Sequence, residues 1–395
     1  MNFIAFCPPY ASHLRAFMAL ADGLRARGHR VTFVLPGQVH MPWPGAVPET
    51  LALGTEVEDT ARTAIERSVW RTDTLCRHID VLPPADAILG DQTEPAGGLI
   101  ADALGLPLIS VACALPFERE PGIPLPFLGW PFDESRRGRR RNVGGERVAR
   151  LILRKQNAVI AHWADRFAIG PRRELTDCLS PLLTLSQTLP GFDFPRRNPV
   201  VLETGPLRPA GTAAFPDDIR PDPSRPFVYA SLGTIQGHRE AILRRIVAAC
   251  HRAGAQVLVS HAGGLSDSAA RDLGATWVRN HVPQEAVLDR ADLCITHAGL
   301  NTAMEALVRG VPMLAIPIAY DQPGVAARLV HHGVGLRHSR HWLDTGSLVR
   351  SISRLLNDPG FRERARAFRP GGGVPLAVAR IEDVVRPAPQ LVAAQ

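Results

Sequence analysis

Apolar, strand-forming runs alternate with stretches of helical periodicity twice along this 395-residue chain, and a proline-rich break separates the two series. NFIAFCPP opens the first series as a strand ended by two prolines. Leu14, Phe17, Met18, Ala21 and Leu24 then recur at helical spacing, Gly28 stops that helix, and VTFVLP follows as a β-branched and aromatic strand. A strand–helix–strand opening points to a parallel sheet, since parallel neighbours can be joined only by a crossover that packs back onto the sheet. ADAILGD, EPAGGLIADALG and LPLISVACA repeat the unit. Pro206–Pro226 has no periodic apolar face and reads as a linker. Beyond it FVYASLGT, REAILRRIVAACHRAG and AQVLVSHAGG start a second series, with TWVRNHV, LCITHAG and PMLAIPIA as later strands. Helices are expected at Ser347–Leu356, Phe361–Phe368 and Ala377–Val385, before a loose Pro/Ala-rich end. The expected fold class is α/β: two Rossmann-like, doubly wound domains facing each other across a cleft. Residues 1–205 form the first, 206–225 the linker, 226–373 the second, and 374–395 a terminal helix and tail.

Composition narrows the functional classes. A hydrophobic fraction of 45% and a charged fraction of 21% exclude a wholly disordered chain. No stretch approaches the ~20 apolar residues of a spanning helix. The N-terminus lacks a basic region before its apolar run, so it reads as a buried strand of a cytoplasmic protein and not as a signal peptide. Cys7, Cys76, Cys113, Cys178, Cys250 and Cys294 are scattered without a CxxC pair, which favours buried reduced thiols over a metal site. The net charge of +7 suits an anionic ligand or surface but does not argue for nucleic acid. Much of the basic charge is concentrated in Arg136–Lys155, which holds nine Arg/Lys against Glu146 alone. Two readings stand there: a solvated surface loop and helix, or attraction to the cytoplasmic face of an anionic membrane, with Val148, Leu151 and Ile152 as an apolar stripe on the following helix.

Ligands of doubly wound sheets bind beyond the carboxyl ends of the strands, so the chemistry is sought there. The strand LCIT runs into His297 and Gly299, and a helix is expected over Thr302–Arg309, opened by Asn301 and Thr302. Such a helix N-terminus is either an ordinary capped end, with Asn or Thr as cap, or a diphosphate site. SLGT, Ser231–Thr234, is a second glycine-bearing turn able to wrap the same anion. No GxGxxG follows a strand, no GxxxxGK[ST] occurs, and no metal-ligand spacing stands out; His331-His332 reads as a surface pair. In the first domain Ser12-His13 lies where the first strand turns into the first helix, and Asp91 ends the strand AILGD. The helix dipole should keep His13 neutral, and Asp91 can hold its far ring nitrogen, making a base. The plainer reading is two polar loop residues.

Together these elements resemble the nucleotide-sugar-dependent glycosyltransferases of the GT-B fold, the family of plant and bacterial UDP-glycosyltransferases. The likeness rests on VPQ at Val282–Gln284, HAGLNTAMEAL at His297–Leu307, GVP at Gly310–Pro312 and Asp321-Gln322. RTDTLCR at Arg71–Arg77, the stretch Asp91–Pro116, SLGTIQGHR at Ser231–Arg239 and Ala319–Gly335 are similar to the bacterial branch acting on the carotenoid zeaxanthin. The resemblance implies an inverting, metal-independent transfer of glucose from UDP-glucose to zeaxanthin hydroxyls, with no cofactor. It implies His13 as base and Asp91 as its orienting partner. It implies Gly233, Thr234, His297, Gly299, Asn301 and Thr302 around the diphosphate, Glu305 at the ribose, Val282 and Gln284 at uracil, and Asp321 and Gln322 at the sugar. His281 stands where the family often places a tryptophan, and Val39–Val69, on the acceptor side, is short beside its relatives. A macrolide or other polyketide acceptor, a sugar-nucleotide epimerase and a silent binding protein are the alternatives.

Overall fold

The computed structural model describes residues 1–58, 62–208 and 214–386. In the N-terminal half, strands β1 (Asn2–Phe6), β2 (Arg30–Gln38), β3 (Thr50–Val57), β4 (Ala87–Asp91), β5 (Leu108–Ala112), β6 (Thr184–Ser186) and β7 (Val201–Glu203) form one sheet. Helices α1 (Ala11–Arg25), α2 (Ala64–Arg77), α3 (Ala96–Leu104), α4 (Arg136–Ile152) and α5 (Arg154–Phe167) cover or flank it. In the C-terminal half, β8 (Phe227–Ser231), β9 (Gln256–Ser260), β10 (Trp277–Arg279), β11 (Leu293–Thr296), β12 (Met313–Ala315) and β13 (Gly335–Arg337) form the second. Its helices are α6 (Gly233–Gln236), α7 (Glu240–Arg252), α8 (Asp267–Arg271), α9 (Gln284–Leu288), α10 (Leu300–Val308), α11 (Gln322–His331), α12 (Thr345–Asn357) and α13 (Pro359–Arg366), and a last helix, α14 (Gly373–Val385), ends the described chain.

Every strand pairing is parallel. The strand orders are β3-β2-β1-β4-β5-β6-β7 and β10-β9-β8-β11-β12-β13. Strands β4, β5, β8, β9 and β11 are buried along their whole length, the burial expected of parallel strands covered on both faces. Each sheet reverses its winding direction once, at β1/β4 and at β8/β11. Loops leaving adjacent strands there diverge to opposite faces and leave a crevice. Ser12-His13 and Asp91 follow β1 and β4, while SLGT and THAG follow β8 and β11. All four candidate segments therefore lie at the two crevices.

Three expectations need adjustment. The linker is not a loose tether where it is described: Leu207 is buried in the N-terminal core, and Ile219 in the C-terminal core. Residues 209–213 of that linker lie outside the described residues. The terminal helix begins at Gly373, four residues earlier than expected, and packs on the first domain: Ala377, Val378 and Ile381 join the apolar cluster of β1 and α1. The proline- and alanine-rich end, 387–395, lies outside the described residues, as do 59–61 within the short acceptor-side stretch. His331-His332 is not simply a surface pair, because His332 stacks on Phe192 and its Nε2 lies 2.8 Å from the Phe192 carbonyl of the first domain.

Buried contacts fix the two halves against each other. Arg328 is 1% exposed, donates from Nε to Asp193 Oδ1 at 2.6 Å and lies over the Phe194 ring. A buried ion pair of this kind contributes less to net stability than to orientation, since desolvation offsets its Coulomb gain. Breaking one partner would leave an uncompensated charge inside.

Candidate active site

A cavity of about 570 Å³ lies between the crevices and is lined from both halves. That is the usual size range of a small-molecule site. His13, Gly233, Thr234, Val282, Gln284, His297, Gly299, Asn301, Thr302, Glu305, Asp321 and Gln322 all line it, as does His281. Asp91 stands one layer behind His13.

On the N-terminal wall, His13 sits in the first turn of α1 with Nδ1 2.7 Å from Asp91 Oδ2, across 78 residues of sequence. The register explains the meeting: β1 and β4 are neighbours, and both residues belong to their carboxyl ends. Asp91 is 2% exposed, and its other oxygen accepts from the backbone N–H and hydroxyl of Thr93 at 2.8 and 2.6 Å. With the Nδ1 proton directed to Asp91, the Nε2 lone pair is the available base. One expectation fails here. The helix dipole was to keep the imidazole neutral, yet its pKa is raised: burial pushes it down, but the Asp91 carboxylate, helped by Asp321, outweighs burial. A full negative charge at hydrogen-bond distance exceeds the partial charge of a helix end. Asp91 answers in kind, since burial would raise its pKa but His13 and the Thr93 bonds hold it below the ordinary carboxylate value.

The C-terminal wall is built largely from backbone. Helix α10 starts with Gly299 as N-cap and has no side-chain cap, so Asn301 and Thr302 lie inside the first turn and not ahead of it. Its free N–H groups therefore face the cavity uncompensated. The Asn301 Oδ1 atom is buried and has no hydrogen-bond partner among the described residues. Gly233 adopts φ +76°, and a Cβ there would fall 2.6 Å from His297 Cε1. A Cβ on Gly299 would fall 2.5 Å from His297 Nε2. The two glycines thus pack directly around the imidazole of His297. Burial brings the His297 pKa down to about 4, opposed by a hydrogen bond with the Ser231 backbone, so the ring is neutral. Ala262, Ala298 and Tyr320 hold positive φ on this wall, and left-handed strain in residues bearing a Cβ is typical of functional loops.

The remaining predicted residues are already partnered. Glu305 accepts from Arg208 Nε at 3.2 Å and from Gln284 Nε2 at 2.6 Å. Gln284 in turn accepts from the Tyr229 hydroxyl at 3.0 Å, so Tyr229 and Arg208 are supporting residues that the sequence did not announce. Gln322 Oε1 accepts from the Ile318 and Ala319 amides, both at 2.8 Å, which orders the loop and leaves its amide N–H groups for a ligand. Asp321 Oδ2 accepts from the Leu115 amide at 3.1 Å across the cleft; burial raises its pKa against that bond.

Two further groups escaped the sequence reading. Arg71 lines the cavity near His13, 3% exposed, and donates to Glu94 at 2.9 Å and Glu58 at 3.0 Å. Helical spacing in RTDTLCR marks Arg71 on a face of α2 but not which strand loop it reaches. Cys113, just past β5, brings its ligand atom within 4.8 Å of those of His13 and Asp91. Burial holds its thiol well above the ordinary value, with Asp91 adding to the rise, so it stays protonated beside the dyad. All six cysteines are free and buried.

The family of UDP-glucoronosyl and UDP-glucosyl transferases matches residues 204–378. The zeaxanthin glucosyltransferase of Pantoea ananas is 38% identical over 97% of this chain and 96% of its own. That of Pseudescherichia vulneris is 38% identical over 97% and 98%. A solved calicheamicin glycosyltransferase superposes with a TM-score of 0.73 over 99% of both chains at 20% identity, a likeness of fold alone. The two parallel sheets and this superposition make the architecture GT-B.

Proposed function

We propose that this chain, which belongs to the UDP-glucoronosyl and UDP-glucosyl transferase family, moves glucose from UDP-glucose to the hydroxyls of zeaxanthin with inversion at the anomeric carbon. The observation that carries the reading is the pairing of walls: an imidazole backed by a buried carboxylate faces an arrangement of N–H donors across one cavity. The likeness to the two zeaxanthin enzymes supports the acceptor.

The acceptor hydroxyl oxygen attacks C1 of glucose while His13 Nε2 takes its proton. The bond from C1 to the β-phosphate oxygen breaks, and its electron pair leaves with UDP. Asp91 keeps the imidazolium oriented and compensated until the proton is released. The growing charge on the diphosphate meets the first-turn N–H groups of α10, the His297 N–H and the SLGT turn. Such prepositioned donors need no reorganisation as charge develops. Glu305 serves the ribose, Val282, Gln284 and His281 the base, and Asp321 with Gln322 the sugar hydroxyls. Attack opposite an α-linked leaving group gives a β-glucoside. Zeaxanthin carries a hydroxyl at each end, so two transfers yield mono- and diglucoside.

The test is release of UDP from UDP-glucose with zeaxanthin, with a macrolide, and with neither. Zeaxanthin-dependent release with β-glucoside product is expected. Release with the macrolide but not zeaxanthin would move the acceptor assignment, and acceptor-independent epimerisation would remove the transfer altogether.

A further inference from the structure

We propose that the outward face of α4 docks this protein on an anionic lipid bilayer, and that the cavity takes its apolar acceptor from that surface. The proposal rests on the lipophilic acceptor proposed above, but its primary evidence is independent of the reaction. Helix α4 inverts the usual pattern of a surface helix. Its buried positions are Gly138, Asn142 and Ala149, small or polar, and Asn142 Nδ2 donates to the Pro121 carbonyl at 3.0 Å. Its large aliphatics stay in solvent instead: Val143, Val148, Leu151 and Ile152 are 45%, 58%, 65% and 61% exposed, Val143 and Leu151 away from the buried stripe and Val148 and Ile152 on its flank. Amphipathic helices ordinarily bury such residues against the body. Here the body takes the small residues, and the aliphatics are left for another apolar medium.

Charge selects that medium. Arg136, Arg137, Arg139, Arg140 and Arg147 are exposed and make no side-chain hydrogen bond or ion pair among the described residues. Nearby acids are engaged chiefly with other groups, Asp133 alone also acting on Arg137 at a distance. Glu134 pairs with Arg197 at 2.8 Å, Asp133 accepts from the Ser135 amide, and Glu146 lies between Arg119 and Arg150. At 100° per residue, Arg140, Arg147 and Leu151 fall on the side opposite the buried stripe. Guanidinium groups interleaved with aliphatics on one helix face match the boundary between anionic headgroups and acyl chains. They match a soluble acidic partner less well, because four aliphatics would gain nothing from carboxylates.

Position joins this face to the reaction. Ala149, Arg150 and Leu153 line the cavity from the same end of the helix, and Phe127, 40% exposed, lines it from the preceding loop. Arg150 is held by Glu174 at 3.1 Å, which anchors that end to the body. A bilayer against α4 would therefore lie beside the first-domain end of the cavity.

The test is flotation with vesicles of phosphatidylglycerol and phosphatidylcholine in equal parts, against phosphatidylcholine alone. Turnover is measured in parallel with zeaxanthin embedded in the vesicles or dispersed in detergent. Each arginine near an anionic surface contributes about fivefold, so the triple variant R136Q/R140Q/R147Q should float roughly 100-fold less well. L151S/I152S, which keeps every charge, should also lose flotation. Both variants should keep turnover of dispersed zeaxanthin within about twofold while losing turnover of the embedded form. Wild-type protein that ignores anionic vesicles, or variants that float like it, would overturn the proposal. So would retention on heparin without flotation, which would mark a general polyanion site. Flotation lost in the variants, with no turnover of zeaxanthin in any form, would support the surface and overturn only the acceptor assignment.

Discussion

The two walls of the cavity are made from different parts of the chain. The N-terminal wall works through side chains: one imidazole, one buried carboxylate and their mutual charge. The C-terminal wall works mainly through backbone: an uncapped helix start, two glycines packed on His297, and loops with positive φ. A side-chain device fails when one functional group is removed and responds to pH. A backbone device tolerates loss of a functional group but not the addition of bulk. Under the proposed function, that contrast separates chemistry from donor capture.

His13→Ala should cost the most. Positioned proton transfer contributes about 10²–10⁴-fold, so turnover should fall at least ~100-fold. UDP affinity, read by calorimetric titration, should remain within a fewfold, because the donor wall is untouched. Near-normal turnover would erase the contrast. Gly233→Ala should do the converse. Left-handed strain on a residue with a Cβ costs roughly 1–2 kcal/mol, and the new methyl group displaces His297, so UDP should bind about tenfold more weakly. The pH dependence set by His13 should not move. Equal UDP binding would show that the turn does not touch the diphosphate. Asn301→Ala should be the mildest. Its unpartnered Oδ1 shows that the amide is not spent on the fold, and one hydrogen bond is worth roughly 1 kcal/mol, about fivefold in the Michaelis constant for UDP-glucose. A larger loss of thermal stability than of donor affinity would instead make Asn301 a structural residue.

How much of this was legible in the sequence follows the same division. The two sheets were readable because parallel strands form continuous apolar runs and the crossovers carry helical periodicity. The meeting of His13 and Asp91 was readable because both end strands at a sheet crevice, a placement that needs only topology. The N-cap was misplaced at Asn301 or Thr302 because propensity favours polar caps, while the close packing on His297 demands Gly299. The direction of the His13 shift was misjudged because a dipole is visible in sequence, whereas the opposing carboxylates arrive from Asp91 and Asp321, the latter in the other half. The places of Arg71, Tyr229 and Arg208 at the site went unseen for the same reason: their partners are set by long-range packing. The aliphatic stripe of Arg136–Lys155 was found, but only the buried Gly138, Asn142 and Ala149 reveal that it faces outward.

The pH profile of kcat/KM for zeaxanthin, compared between wild type and Asp91→Asn, tests most directly the claim that a buried carboxylate orients and tunes the base. With His13 as the proposed base, catalysis needs its neutral form, so the rate should fall as pH falls through its pKa, which Asp91 holds above the ordinary 6.5. Removing the carboxylate leaves burial to act against the imidazolium, so the acid limb should move to lower pH while the plateau drops by about 10-fold or more. An acid limb that stays where the wild type has it would contradict the assignment.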